Sequence, residues 1–328
     1  MLSLGWTVVC PDYRVLPESN NFAVIEDVLS ACRWIVENPS GRGQTAPRDD
    51  TQQTLGVVFA GVSAGGWCAL VAAHHFCAAQ RVSPVSLRPK ALLLLYPMLY
   101  LSSPRWCQPI FVAPEPMCDS AVQEHLVSAD QRIRDRQISL GEPFPTSEEE
   151  IRTRKRLPLL WAIMQSGKWL DFLTGREGFA ADVASCGIEA AIKKRKVNHN
   201  LEQLFSLDFA NFQSSTAAVP TIIVHGTKDH EVPISESETL VKKIKDTRIP
   251  GSNTGVVRLY SVEGAGHVFD LDIDAADFHI SKSDMERKGI KKQHISALKM
   301  ASRDIRIVVQ RVPQGEARVM FLTWLSTL

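Results

Sequence analysis

Ser63 stands in Gly61-Val-Ser-Ala-Gly65-Gly66, between a β-branched run that ends near Ala60 and an apolar run at helical spacing that begins at Ala64. A strand-to-helix turn of this kind can present a nucleophile. Glycine two residues to either side lets the backbone close tightly beneath the serine, and the helix behind it aims unpaired N–H groups and a positive dipole end at any charge the attack creates. The Ala64 N–H is the first such donor. Small residues also gather at strand-to-helix turns for packing alone, so the serine needs partners before it can be read as reactive. An alcohol at neutral pH requires a base, and the base requires a carboxylate to orient it. Two later loops offer both. His225-Gly-Thr-Lys-Asp229-His-Glu-Val-Pro233 carries Asp229, and Glu263-Gly-Ala-Gly-His267 carries a histidine on a glycine-rich turn. Serine, acid and histidine in that chain order, each just after an apolar strand, suit acyl transfer by a Ser63, Asp229, His267 triad.

The elements that must hold these loops follow from hydrophobic periodicity. Residues 6–10 read as a buried strand and residues 22–37 as a helix. The pattern repeats as strand 54–60, helix 64–79 and strand 91–96, then resumes as strand 221–225, helix 235–245 and strand 256–262. Fully apolar strands alternating with helices predict a mainly parallel sheet covered on both faces, with loops at the strands' carboxyl ends forming the site. Between the two runs, residues 101–216 break the rhythm and read as an inserted helical cap, which splits the core into residues 1–100 and 217–328. Residues 270–314 are polar, charged and poorly periodic, and read as an irregular insertion; residues 317–328 have the spacing of a closing helix.

Composition narrows the function classes. The 37 Lys and Arg against 36 Asp and Glu give no field that would draw the chain to nucleic acid, so a small, neutral or weakly polar molecule is the expected partner. The seven cysteines are scattered and never spaced as Cys-x-x-Cys, which argues for reduced packing residues over disulfides or zinc. Met1-Leu-Ser-Leu4 has no basic flank, and the apolar run at 91–101 falls short of the ~20 residues that span a bilayer. The expectation is an intracellular chain without a membrane span.

Other candidates lead to packing or solvation. His74 and His75 are adjacent on a helix and point apart. His225 and His230-Glu231 lack His-Glu-x-x-His spacing. Asp270, Asp272 and Asp274 imitate the start of a calcium loop, but Ala275 stands where glycine is needed and Ser281 where the bidentate glutamate belongs. No metal or other cofactor is implied. The basic run at 193–196 reads as a solvated helix end. Trp106, Phe111, Trp161, Trp169 and Phe172 fit an acyl or aryl pocket and ordinary core equally well.

Gly5-Trp-Thr-Val-Val-Cys-Pro-Asp-Tyr-Arg14 with Pro17-Glu18, followed by Phe22, Asp27 and Trp34, resembles the hormone-sensitive-lipase-like branch of the α/β-hydrolases, the carboxylesterase and arylacetamide-deacetylase group. The Gly61 to Gly66 stretch is similar to that family's nucleophile elbow. The resemblance covers residues 5–101 and 219–269 and is weak in the cap. It implies the α/β-hydrolase fold and cleavage of a small or medium apolar acyl or aryl ester through an acyl-enzyme. Ser63 would be the nucleophile, His267 the base and Asp229 its orienting acid. Two other functions use the same residues: small-ligand binding without efficient catalysis, and acyl transfer or thioester release in a biosynthetic pathway.

The sequence departs from the family at two places. The family's His-Gly-Gly-Gly segment, which completes the oxyanion hole, and the strand leading into it do not occur upstream of Asp12-Tyr-Arg14. That strand lies beside the elbow strand, so its two neighbours are expected to be unpaired or to pair with each other. The polar stretch at 270–314 is the second departure. A reading frame that opens at an internal methionine and keeps non-coding sequence near its end accounts for both, and so does a protein that has given up hydrolysis.

Overall fold

The computed structural model describes residues 6–37, 55–79, 87–112, 115–140, 149–150, 156–195, 205, 214–247, 256–271, 273, 291–310 and 317–324. In chain order the strands are β1 (Thr7–Val9), β2 (Leu55–Val62), β3 (Leu87–Leu95), β4 (Thr221–Gly226), β5 (Val257–Val262) and β6 (Ala317–Trp324). Helices α1 (Asn21–Glu37) and α2 (Ala64–Ala79) precede the insertion, which contributes α3 (Asp119–Arg134), α4 (Leu157–Gln165), α5 (Trp169–Thr174), α6 (Phe179–Cys186) and α7 (Ile188–Lys194). After it come α8 (Ser214–Ala217), α9 (Ile234–Thr247) and α10 (Lys292–Gln310). Contacts divide the chain into two units, one formed by Met1–Pro11, Val28–Leu99 and Phe212–Trp324, the other chiefly by Asp12–Asp27 and Tyr100–Asn211.

In the first unit all strand pairs are parallel, in the order β1-β6-β2-β3-β4-β5. Strand β4 is buried along its whole length and β2 from Gly56 to Val62, as helices on both faces require. Phe59 points toward α2, its ring 6.5 Å from Phe76, while its neighbours Val58 and Ala60 join a cluster with Ile222, Val224 and Val262 that packs on Ala297, Ala301 and Ile305 of α10. Alternate residues of one strand thus serve two layers of helix.

The sheet corrects two expectations. Residues 317–324 form strand β6, not a closing helix, and the position beside the elbow strand is neither empty nor closed by β1. β6 runs between them: Met320 is opposite Val58 on one side and Val8 on the other. The physical reason is visible in Ala317-Arg-Val-Met-Phe-Leu-Thr-Trp324, where a short apolar run rich in β-branched and aromatic residues satisfies helical and strand spacing alike. The supply of backbone partners on both sides then selects the strand, because a central position without one leaves two rows of buried N–H and C=O groups unmet.

The irregular reading of 270–314 is corrected over its second half, where α10 runs from Lys292 to Gln310. Ile295, Ala297, Ala301 and Ile305 are buried on the side facing the sheet, while Met300 and Ile307 stay exposed. The many charged residues on its outer face hide this stripe from a composition-based reading. Residues 152–155, Lys196, Asp272, Asp274 and the charged stretch 281–288 lie outside the described residues.

The second unit is held by its own core and by ion pairs. Trp106, Trp169, Phe172, Leu160 and Ile163 are buried, with the Trp106 and Trp169 rings 6.2 Å apart, whereas Phe111 is exposed. Glu18 explains why residues 12–27 pack with the helices of this unit. Its buried carboxylate accepts hydrogen bonds from Arg132 at 2.9 Å, Arg156 at 2.7 Å and Ser139 at 3.0 Å. Burial would raise the Glu18 pKa, and the two guanidiniums more than offset it, bringing it down to about 2.

Candidate active site

The turn after β2 folds as the sequence suggests. Ser63 has φ of 54°, a left-handed conformation that a non-glycine residue adopts only where the surroundings impose it. Its N–H donates to Leu95 O at 3.0 Å, and its carbonyl accepts from Gly66 N at 2.9 Å and Met98 N at 3.0 Å. A Cβ on Gly61 would fall onto the Gly65 carbonyl, so the glycine is demanded by close approach of backbone to backbone. Ala64 opens α2, where an N–H has no acceptor within its own helix.

The acid and the histidine come from the next two strand ends beyond β3. Asp229 follows β4, and its Oδ1 accepts from the backbone N–H of Glu231 at 3.0 Å and Val232 at 2.8 Å, which fixes the carboxylate from behind. His267 follows β5. The two loops lock together where Lys228 N donates to Ala265 O at 2.9 Å and Gly264 N to Thr227 Oγ1 at 2.9 Å. Gly226 permits this approach, since a Cβ there would strike the Ala265 carbonyl.

Ser63, Asp229 and His267, separated by up to 204 positions, meet in one hydrogen-bonded line. The Ser63 hydroxyl donates to His267 Nε2 at 3.0 Å, and His267 Nδ1–H donates to Asp229 Oδ2 at 2.7 Å. Ser63 is 4% exposed and the His267 side chain 3%, so the line is largely removed from water and its electrostatics are weakly screened. Burial would raise the Asp229 pKa, but hydrogen bonds from His225 and His267 and the backbone N–H of Val232 hold it well below the usual carboxylate range. Burial would likewise lower the His267 pKa. The charge of Glu231, with Oε2 3.9 Å from Nε2, the bond and charge of Asp229 and the charge of Asp270 outweigh that, so the imidazole titrates above 6.5. Such a line can take a proton from an alcohol, stabilise the resulting imidazolium and return the proton to a leaving group.

Sequence reasoning missed four residues around this line. His225, fully buried, donates from Nε2 to Val232 O at 2.9 Å, with Asp229 Oδ2 3.3 Å away, and its Nδ1 accepts from Ser237 at 2.7 Å. Glu231 faces the reactive nitrogen. Tyr96 sets its ring against the imidazole, with centroids 4.6 Å apart, and donates its hydroxyl to Asp270 at 2.6 Å. The available signal was position: each lies at or just after the carboxyl end of a parallel strand. Asp270 therefore serves a hydrogen bond inside the first unit, away from the calcium-loop pattern it imitates.

The remaining candidates have other partners. His74 Nδ1 is 3.0 Å from Thr216 Oγ1, with burial lowering its pKa. Cys68 and Cys77 are buried, and burial pushes their thiols up to about 12 and about 11. Among the described residues no group of three His, Cys, Asp or Glu side chains could hold a metal ion, and no helix is long and apolar enough to cross a membrane.

Comparison with known proteins agrees with the sheet. Residues 2–145 match the profile of a family described by its alpha/beta hydrolase fold. The fold is an α/β-hydrolase fold. A methylphloroacetophenone synthase from Cladonia uncialis is 25% identical over 284 residues, covering 83% of this chain and 10% of its own length. A non-reducing polyketide synthase of Emericella nidulans is 23% identical over 296 residues, covering 85% of this chain and 11% of its own. The chain thus spans about a tenth of the length of these curated relatives. Among solved structures, a Staphylococcus aureus protein of unknown function aligns over 90% of this chain and 75% of its own, with 13% identity and a TM-score of 0.47.

Proposed function

We infer that the protein is a serine hydrolase that cleaves a small or medium apolar acyl or aryl carboxylic ester through an acyl-enzyme. The observation that carries this reading is the unbroken line from Ser63 through His267 to Asp229, at 3.0 and 2.7 Å. As Ser63 Oγ bonds to the ester carbonyl carbon, its proton passes to His267 Nε2, and Asp229 stabilises the imidazolium. The Ala64 N–H and the positive end of α2 receive the negative charge on the carbonyl oxygen. Collapse of the tetrahedral adduct breaks the bond to the leaving alkoxide, which takes the proton from His267 and departs as alcohol. Water then attacks the acyl-enzyme by the same route, giving its proton to His267 and releasing the acid as Ser63 recovers its hydrogen.

The test is Ser63→Ala in the full chain, assayed with p-nitrophenyl acetate and a fluorophosphonate probe. Loss of the triad nucleophile costs on the order of 10⁶ in kcat, and labelling should vanish with it. Labelling that persists in the variant would overturn the assignment.

A second reading has its own support. Both curated relatives are named as synthases, one of them a polyketide synthase, and each covers more than four fifths of this chain. The chemistry of a serine triad extends from esters to thioesters, which fits acyl transfer or thioester release within a biosynthetic sequence. Turnover of an N-acetylcysteamine thioester against the matching ester, with and without an added alcohol or amine, separates the two.

A further inference from the structure

Three non-glycine residues of the first unit hold a left-handed backbone among the described residues: Ser63, Tyr96 with φ of 35° and Val268 with φ of 52°. All three border the imidazole of His267. Ser63 needs its conformation to present a nucleophile, but nothing in the triad chemistry asks for a strained tyrosine. Strain of this kind persists where the surroundings fix it, and it concentrates at functional sites. The conformation at Tyr96 is imposed from β4, since Tyr96 N donates to Val224 O at 2.7 Å. It delivers the ring edge-on to the imidazole at 61° and the hydroxyl to Asp270 Oδ1.

The loop that carries His267 explains what such a contact would do. On the amino side, Gly264 with φ of 68° and Gly266 leave the chain pliant. On the carboxyl side the turn is stapled: Leu271 N donates to Val268 O at 3.2 Å, Ile273 N to Asp270 O at 3.0 Å, and Asp270 receives the tyrosine hydroxyl. Val62, Leu95, Val268, Phe269 and Leu271 pack around Tyr96. One side chain therefore touches both the imidazole and the anchor of its turn.

We propose that Tyr96 and Asp270 are a positioning pair for His267, with Tyr96 fixing the imidazole's orientation and Asp270 adding its carboxylate to those of Asp229 and Glu231 around the imidazolium formed in acyl transfer. The proposal rests on the triad reading above. The groups around His267 are Ser63 from the elbow, Asp229 and Glu231 from the loop after β4, Tyr96 from the residue after β3 and Asp270 from its own turn. His225 acts behind Asp229, and His294 of α10 packs against Phe269 with its ring 5.2 Å away. Burial, and after it the charge of Lys291 just before that helix, lowers the pKa of His294. Burial raises the Asp270 pKa, and the Tyr96 hydrogen bond opposes the rise, so removing the hydroxyl makes the Asp270 carboxyl harder to ionise.

The experiment compares wild type, Tyr96→Phe, Asp270→Asn and the double variant of the full chain in kcat and KM for p-nitrophenyl acetate against pH. Tyr96→Phe keeps the ring and deletes only the hydroxyl, so it tests the pair even if Asp270→Asn folds poorly. Each single variant should lose about tenfold to a hundredfold in kcat, the scale of a misplaced catalytic group, with KM little changed. The acidic limb should move to lower pH, and the double variant should be no worse than the worse single, as for groups that act as one unit. Wild-type kcat and an unmoved limb in Tyr96→Phe, with Ser63 still labelled by fluorophosphonate, overturn the pair and leave the triad standing. A wild-type protein that does not label at Ser63 overturns the triad reading first, and the pair falls with it.

Discussion

On one side of β2, strands β3, β4 and β5 join the sheet in the order in which the chain makes them. On the other side, β6 enters between β2 and β1 after the rest of the first unit has been traversed. The first flank carries the partners that meet Ser63, which itself follows β2: Tyr96 follows β3, Asp229 follows β4 and His267 follows β5. The second flank gives the sheet an interior, pairing both neighbours of β6 along their length. Reactive geometry here depends on loops at successive strand ends and on glycines that let those loops touch. Closure depends on backbone pairing and buried side chains. The two flanks should therefore fail differently, one in rate and the other in stability.

The largest effect that sharpens this contrast belongs to Asp229. Asp229→Asn keeps the shape but favours the wrong imidazole tautomer, so kcat for p-nitrophenyl acetate should fall by roughly 10⁴. Circular dichroism should remain that of wild type. A variant that unfolds, or one that turns over at the wild-type rate, breaks the assignment of chemistry to the β3–β5 flank. Next in size is Met320→Ala in β6. Met320 is 8% exposed within the cluster that includes Trp6, Val58 and Ile305, and its truncation should cost about 2–5 kcal/mol, read as a lower urea midpoint. Turnover per folded molecule should stay at the wild-type value; a matching loss of turnover would mean that the β6 flank also shapes the site.

The smallest effect is a displacement of the acidic limb of the rate. The base role proposed for His267 requires a neutral imidazole, and the carboxylates around it raise its pKa above 6.5. As pH falls, activity should therefore decline earlier than for an unperturbed imidazole, with the midpoint of kcat/KM above ~6.5. A rate flat from pH 5 to 8 would remove His267 from the mechanism and dissolve the contrast.

The legibility of the sequence follows the same division. Ser63, Asp229 and His267 could be read because each sits next to its own strand, and local spacing carries that information. Helix α2 could be read to the residue, since its glycine-rich start follows the elbow directly. β6 could not, because a mostly apolar run of eight residues satisfies two periodicities and the deciding partners, Val58 and Val8, lie far away in the chain. Helix α10 was hidden by the Lys and Arg residues on its outer face. Tyr96 and Asp270 escaped for a related reason: an aromatic before Pro97 and an acid in a polar stretch signal nothing until the fold sets one beside the other.

The late arrival of β6 also bears on how the molecule comes into being. Its partner β2 ends at Val62 and β6 starts at Ala317, so the central pairing closes a very long loop. Pairings that remote slow folding, because chain entropy is lost before the contacts can compensate for it. During synthesis β1 and β2 emerge early and wait with open edges for their shared neighbour. Over that interval the nascent chain is a template for strand addition, and its yield in cells should depend on chaperones that keep those edges apart from other chains.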